Sequence, residues 1–231
     1  MRRWLLVLGL GCGWTLAAVG QPLSSDTTAV DYGTGGGLQV LLNNYGFSLG
    51  LYYQQSFPDW PTWSYQIEAT LGSIKDEREQ RFFRSQFGGS IILNKANYVV
   101  VLPLHLGLQK RLFADDIEDN FRPFVQLSGG GLFAWQYPYF RDDNGNGAYD
   151  RDERIYDAFT SLPRGTARLG MSGMLAIGAH FGNSKSVTQS VRIGYAFVYI
   201  PEGLQLLEPS VRGPEKFTST PTLTILFGRL F

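Results

Sequence analysis

Residues 142–153 read DDNGNGAYDRDE and place oxygen-bearing side chains at alternate positions, the spacing a chain needs to wrap a hard cation. Against the pattern D-x-[DN]-x-[DN]-G-x5-E, Asp142 takes the first position, Asn144 the third, Asn146 the fifth, Gly147 the sixth and Glu153 the twelfth. Calcium takes six to eight oxygens, and short carboxylate and amide side chains converge on it as the chain curls. Gly147 permits the sharp turn, Ala148 offers its carbonyl, Asp150 acts directly or through water, and Glu153 closes the site with two oxygens. The competing reading is a solvated turn, because Asn, Asp and Gly are also what turns are made of. With few formal charges the expected affinity is weak, roughly 10⁻⁴ to 10⁻³ M as in extracellular modules.

Such a loop needs elements to hold it, and the flanking sequence is built from strands. In WSYQIEATLG, Trp63, Tyr65, Ile67, Ala69 and Leu71 share one face, while Ser64, Gln66, Glu68, Thr70 and Gly72 share the other. The same division recurs in VLPLHLGLQKR, in TARLGMSGMLAIGAHFG and in QSVRIGYAFVY. Helix signals are scarce: the segment RIYDAFTSLPRG after the acidic loop predicts at most a short helix, so the loop lacks the helix pair of a true EF-hand.

A soluble sandwich also alternates. Three features favour a membrane barrel. The strands run to ten or more residues, suiting a tilted span of the hydrocarbon core. Aromatics gather at strand ends, as in Trp60 and Trp63, Trp135, Tyr137 and Tyr139, and Tyr195 to Tyr199. The chain also ends on an aromatic strand, PTLTILFGRLF.

The N-terminus carries Arg2 and Arg3, an apolar stretch from Trp4 to about Leu16, and Ala18 and Gly20 either side of Val19, the pattern of a secretory signal over residues 1–20. Its loss removes the only cysteine, Cys12, and leaves 18 of the 20 basic residues against 20 acidic ones. No basic field for nucleic acid remains. The longest later apolar run, 99–108, is interrupted by Pro103 and His105 and is too short for a membrane helix. Residues 21–231 are read as one domain, since no linker or repeat divides them.

The signal, the alternating strands and the terminal Phe231, in phase with Phe227, Ile225 and Leu223, resemble the small β-barrels of Gram-negative outer membranes. The acidic stretch likewise resembles an isolated EF-hand-like calcium loop of bacterial surface proteins. The barrel resemblance implies an all-β transmembrane antiparallel up-and-down barrel in the outer membrane, in contact with its lipid and inserted by the barrel-assembly machinery, which reads the C-terminal aromatic strand. Arg229 departs from the pattern, standing where a second aromatic is usual, and is placed to snorkel.

Candidate strands cover 36–42, 47–55, 63–74, 98–113, 122–137, 166–181, 190–199 and 217–231. A ninth over 86–93 is excluded because such barrels use an even number with both termini in the periplasm; ten strands is the alternative. Counting back from Phe231 makes 201–216, 138–165 and 75–97 the external loops, so the acidic stretch faces the cell exterior.

The inward face then carries Glu68, His105, Gln109, Arg111, Arg122, Gln126, Ser128, Arg168, Ser172, His180 and Arg192. An eight-stranded lumen is only wide enough to be filled by side chains, which predicts a plug in which Glu68 pairs with arginine. Two rivals remain, a narrow solute channel and a lipid-modifying enzyme. Lipid A deacylases of this architecture use a His-x-Ser-Asn core. The nearest stretch here, His180 to Asn183, has Gly182 in the serine position. No catalytic residue is assigned, and the expected role is structural or surface-binding, toward a ligand the sequence leaves unnamed.

Overall fold

A computed structural model describes residues 34–76, 78–79, 81–84, 89–114, 117, 121–150, 152–181 and 188–230. The proposed signal segment and Phe231 lie outside the described residues. The strands are β1 (Thr34–Asn43), β2 (Gly46–Phe57), β3 (Trp60–Ile74), β4 (Arg81–Arg84), β5 (Gly89–Ile92), β6 (Asn97–Arg111), β7 (Phe121–Pro138), β8 (Thr166–Phe181), β9 (Thr188–Leu204) and β10 (Glu215–Leu230). Eight of them close an antiparallel ring in the order β1-β10-β9-β8-β7-β6-β3-β2, an up-and-down barrel sealed by β1 against β10. Closure leaves no sheet edge along the paired wall, the condition for a strand structure to cross lipid.

The described part of the stretch 86–93, from Gly89 on, adds no strand to the wall. β4 and β5 pair only with each other, a small hairpin standing in the β3–β6 connection. Strands of four residues are too short for alternation to show which sheet they join.

Alternation assigns the two faces as expected. Outward positions are large and apolar without protein cover: Leu106 is 68% exposed, Leu169 70% and Ile177 64%. An apolar band on this scale demands a nonaqueous neighbour. Aromatic contacts mark both rims of the band. Phe57 meets Trp60 and Tyr65 at the short-turn end, and Phe197 meets Tyr195 and Phe217 at the long-loop end. No helix among the described residues is long and apolar enough to cross a membrane.

The inside is filled. Toward the long loops the core is apolar, with Ile74, Val99, Val101, Leu132, Ala134 and Ile200 from the wall packed on Leu204, the last residue of β9, and on Leu206 of the β9–β10 loop. Backbone bonds tie the loops over it: Ala96 N–H donates to Leu206 O (2.9 Å), Tyr139 N–H to Ala96 O (2.9 Å) and Glu208 N–H to Asn94 O (2.9 Å). Buried Lys95 meets Glu79 at 2.8 Å, and Arg212 reaches Asp76 at 2.9 Å.

Candidate functional site

Three arrangements carry chemistry: the acidic loop, a charge cluster in the lumen, and two histidine–serine pairs. In the loop, the flanks pair before the acidic residues begin. Phe140 bridges Ile155, Arg141 N–H donates to Arg154 O (2.9 Å) and Tyr156 N–H to Tyr139 O (2.9 Å). This two-stranded base brings positions one and twelve together and replaces the helix pair that the sequence lacks. A short helix, α1 (Ala158–Ser161), and one 3-10 turn follow, as the sequence predicts.

Within the loop the side chains of Asp142, Asn144, Asn146, Asp150 and Glu153 bond to groups of the loop itself. Asp142 accepts from Gly145 N–H (2.6 Å) and Gly147 N–H (2.9 Å), and Asn144 Oδ1 accepts from Asn146 N–H (2.9 Å). Asn146 Oδ1 accepts from Ala148 N–H (2.7 Å), and both asparagine amides reach Asp150 Oδ2, at 2.6 and 3.3 Å. Glu153 spans the ring, its two oxygens accepting from Asp143 N–H and Asp150 N–H, each at 3.0 Å. Gly147 has φ 72°, the left-handed conformation expected of it, and Gly145 has φ 74°. Among the described residues no group of three or more His, Cys, Asp or Glu side chains stands at metal-holding geometry. The loop's donor set is mixed, three carboxylates and two amides. Its carboxylates are met by N–H dipoles, with one exposed ion pair beside them between Arg141 and Asp143 (2.6 Å).

The luminal cluster centres on Arg192, 1% exposed, and Glu68, 3% exposed. One guanidinium nitrogen donates to Glu68 Oε1 (2.7 Å) and Gln126 Oε1 (2.8 Å), the other to Glu68 Oε2 (2.6 Å) and Gln39 Oε1 (2.9 Å). Gln126 also donates to Glu68 (2.6 Å), and Gln39 to Thr70 (3.0 Å). Four strands, β1, β3, β7 and β9, each contribute one of these four side chains. The sequence predicts the arginine partner of Glu68 but not which arginine.

Both histidines meet serines that sequence spacing did not connect. His105 Nε2 lies 2.6 Å from Ser172 Oγ, and His180 hydrogen-bonds Ser190 through Nδ1 and Gln109 through Nε2 (2.7 Å). Their partners lie 67 and 10 residues away, so only strand register reveals them. Glu68 is the cross-strand neighbour of His105, and Glu68, His105 and Ser172 line one luminal cavity. The resemblance to a nucleophilic triad stops at composition. Glu68 spends both oxygens on Arg192 and Gln126, so neither is left to orient His105.

No protein-family model and no curated protein matches the chain. Among crystal structures, neisserial surface protein A (NspA) is similar with TM-score 0.45 and 9% identity, over 86% of this chain and 94% of that one. Ail, the attachment invasion locus protein of Yersinia pestis, has TM-score 0.38 and 10% identity, over 85% and 95%. Outer membrane protein OprG of Pseudomonas aeruginosa has TM-score 0.36 and 15% identity, over 85% and 93%. The fold rests on this chain's own strand order. It is a closed eight-stranded barrel.

Of the sequence-predicted loop residues, Asp142, Asn144, Asn146, Asp150 and Glu153 are drawn together, and Ala148 sits among them with its N–H engaged. The ring is docked: Tyr149 N–H donates to Glu208 (3.1 Å), and Phe140 packs edge-on to Tyr149 at 5.7 Å. Sequence reasoning missed Glu208, Phe140 and Ile155.

Proposed function

We propose that this chain is a non-enzymatic outer-membrane barrel whose working surface is its cap of external loops, with calcium bracing the loop of 142–153. The observation that carries the reading is the filled lumen. The Arg192–Glu68–Gln126–Gln39 cluster blocks mid-height, and the Leu204 and Leu206 plug blocks the outer mouth. A lumen occupied at two levels favours a role in what the barrel displays over conduction of solute. The exposed apolar band between two aromatic rims supports the membrane placement. Assembly by the barrel-assembly machinery is the corresponding route into the membrane.

Calcium fits the loop on its donor chemistry. Asp142, Asp150 and Glu153 supply carboxylates, Asn144 and Asn146 amide oxygens, and Ala148 a carbonyl, all hard donors. An N–H bonded to one lone pair of a carboxylate oxygen leaves the other for the ion. Bound calcium would supply positive charge at the centre of a ring now held only by dipoles. Outside the cell even a site of roughly 10⁻³ M affinity would fill.

Planar-bilayer recording tests the plugged reading: purified protein is expected to give no steady unitary conductance, and discrete long-lived channels would overturn it. Unchanged lipid A mass spectra in overproducing cells are expected of a non-enzyme, and a new acylation pattern would contradict it.

A further inference from the structure

The wall of the barrel is not equally tall all round. β1 and β2 are joined by a two-residue turn at 44–45, so β10 pairs with β1 only from Thr222 onward, while β9 continues up its other side to Glu215. Across the gap β3 pairs with β2 only as far as Leu71, and 72–74 are held by β6 alone. Between them stands an opening whose sill is Tyr45, with its hydroxyl bonded to Thr218 Oγ1 and to Ser219 O (3.4 Å). Its lintel is Arg212, which joins Asp76 (2.9 Å) to Glu215 (2.7 Å). Behind the opening is a cavity of about 340 Å³ floored by Ile74, Val198, Ile200, Leu204 and Leu206, within the usual size of small-ligand pockets.

Two physical facts limit what can lie against it. Unpaired strand edges do not face hydrocarbon, so 215–221 must stand at headgroup level or be covered. Phe217, tilted against Phe197 in the outer aromatic rim, puts the lower part of the opening at that level. Lys75, Arg78 and Lys216 line the rim and carry no ion pair among the described residues, whereas both nearby carboxylates are bound by Arg212. The cleft is thus cationic at the lip and apolar at the back.

We propose that this side opening receives an outer-leaflet lipid with a phosphorylated head, one acyl chain entering toward Ile200 and Leu206 and the phosphate held by Lys75, Arg78 and Lys216. The occupant arrives sideways from the membrane and not from solution, because the mouth above is tied by the loops. The idea rests on the membrane placement proposed above but not on calcium. Charge-assisted bonds to phosphate supply orientation, and the buried chain supplies most of the attraction.

The test uses the full barrel in nonionic detergent, with native mass spectrometry against dodecyl phosphate, dodecyl maltoside and inorganic phosphate. One dodecyl phosphate is expected to bind saturably, and the exposed-site double variant Lys75→Gln/Lys216→Gln is expected to lose at least about tenfold in affinity, or 1.4 kcal/mol. Val198→Trp, which fills the cavity, should abolish binding, its folding checked by heat-modifiable gel mobility. Equal binding by the double variant would overturn the proposal. So would full competition by inorganic phosphate, which marks a free-anion site, or equal binding of dodecyl maltoside. Membrane fractionation separates the two failures: outer-membrane protein without dodecyl phosphate binding sinks the side opening alone, and soluble protein sinks the placement and, with it, a membrane lipid as the occupant.

Discussion

Glu68 and Glu153 are both largely buried glutamates, 3% and 9% exposed, and they are balanced in opposite ways. Glu68 lies among side chains from four strands and is neutralised by Arg192 at 2.6 Å. Glu153 is held by backbone N–H groups of its own loop, at 3.0 Å, and has no ion pair among the described residues. The luminal pair therefore balances its charge within the chain and needs nothing from outside. The loop balances dipoles and leaves net negative charge, which is what a cation site requires. The mid-barrel pair is complete at folding, whereas the calcium site proposed for the loop would be completed by an external ion.

Breaking the luminal side of this contrast should have the largest effect. Arg192→Met alone leaves Glu68 buried without a counter-charge and should cost about 3–5 kcal/mol, whereas Glu68→Gln together with Arg192→Met should recover most of it. Urea unfolding of the barrel in lipid vesicles measures both; a single variant costing under about 1 kcal/mol would mean the cluster is incidental.

On the loop side, Gly147→Ala places a Cβ on a residue at φ 72° and 3.2 Å from Pro209, and should destabilise the loop by roughly 1–2 kcal/mol without touching barrel stability. Faster proteolysis confined to 142–153 is the expected readout, and loss of heat-modifiable mobility would show that the two regions are not independent. Smaller still, Trp135→Phe removes the indole N–H that donates to Leu162 O at 2.8 Å and should loosen the turn after α1 by about 0.5–1 kcal/mol. Trypsin cleavage at Arg164 should quicken, and an unchanged rate would remove that bond from the account.

The least effect is expected of acid on Asp157, which caps α1. Hydrogen bonds from the Thr160 hydroxyl and from the Thr160 and Phe159 N–H groups hold its carboxyl below the ordinary value of 3.8. Because the folded value is the lower one, the cap contributes fully above pH 3.8 and is lost as pH falls through the folded value. Amide exchange at Phe159 and Thr160, corrected for intrinsic rate, should stay protected at pH 5 and open only in stronger acid.

Most of the wall was legible because period-two alternation is dictated by the two solvents it faces. The inward sets on β3, β6, β8 and β9, including Glu68, Gln109, Ser172 and Arg192, follow from parity alone. The twelve-residue spacing from Asp142 to Glu153 was legible for a similar reason, being local. Contacts that depend on register were not. Phe140 with Ile155, His105 with Ser172, and Arg192 rather than Arg111 or Arg122 as the partner of Glu68 all require knowing which residue stands opposite which. The side opening is the clearest case: the turn at 44–45 reads as an ordinary hairpin until Asn43 is found opposite Thr222, below seven more residues of β10.

Calcium titration of the folded barrel by calorimetry, wild type beside Glu153→Gln, distinguishes a cation site from a turn held by its own hydrogen bonds. Gln keeps one acceptor for the Asp143 and Asp150 N–H groups but removes the charge and one ligand oxygen. One site is expected in the wild type with Kd of roughly 10⁻⁴ to 10⁻³ M, and at least tenfold weaker binding in the variant. No calcium heat in the wild type, or equal heats in both, would make 142–153 a turn held by its own hydrogen bonds and nothing more.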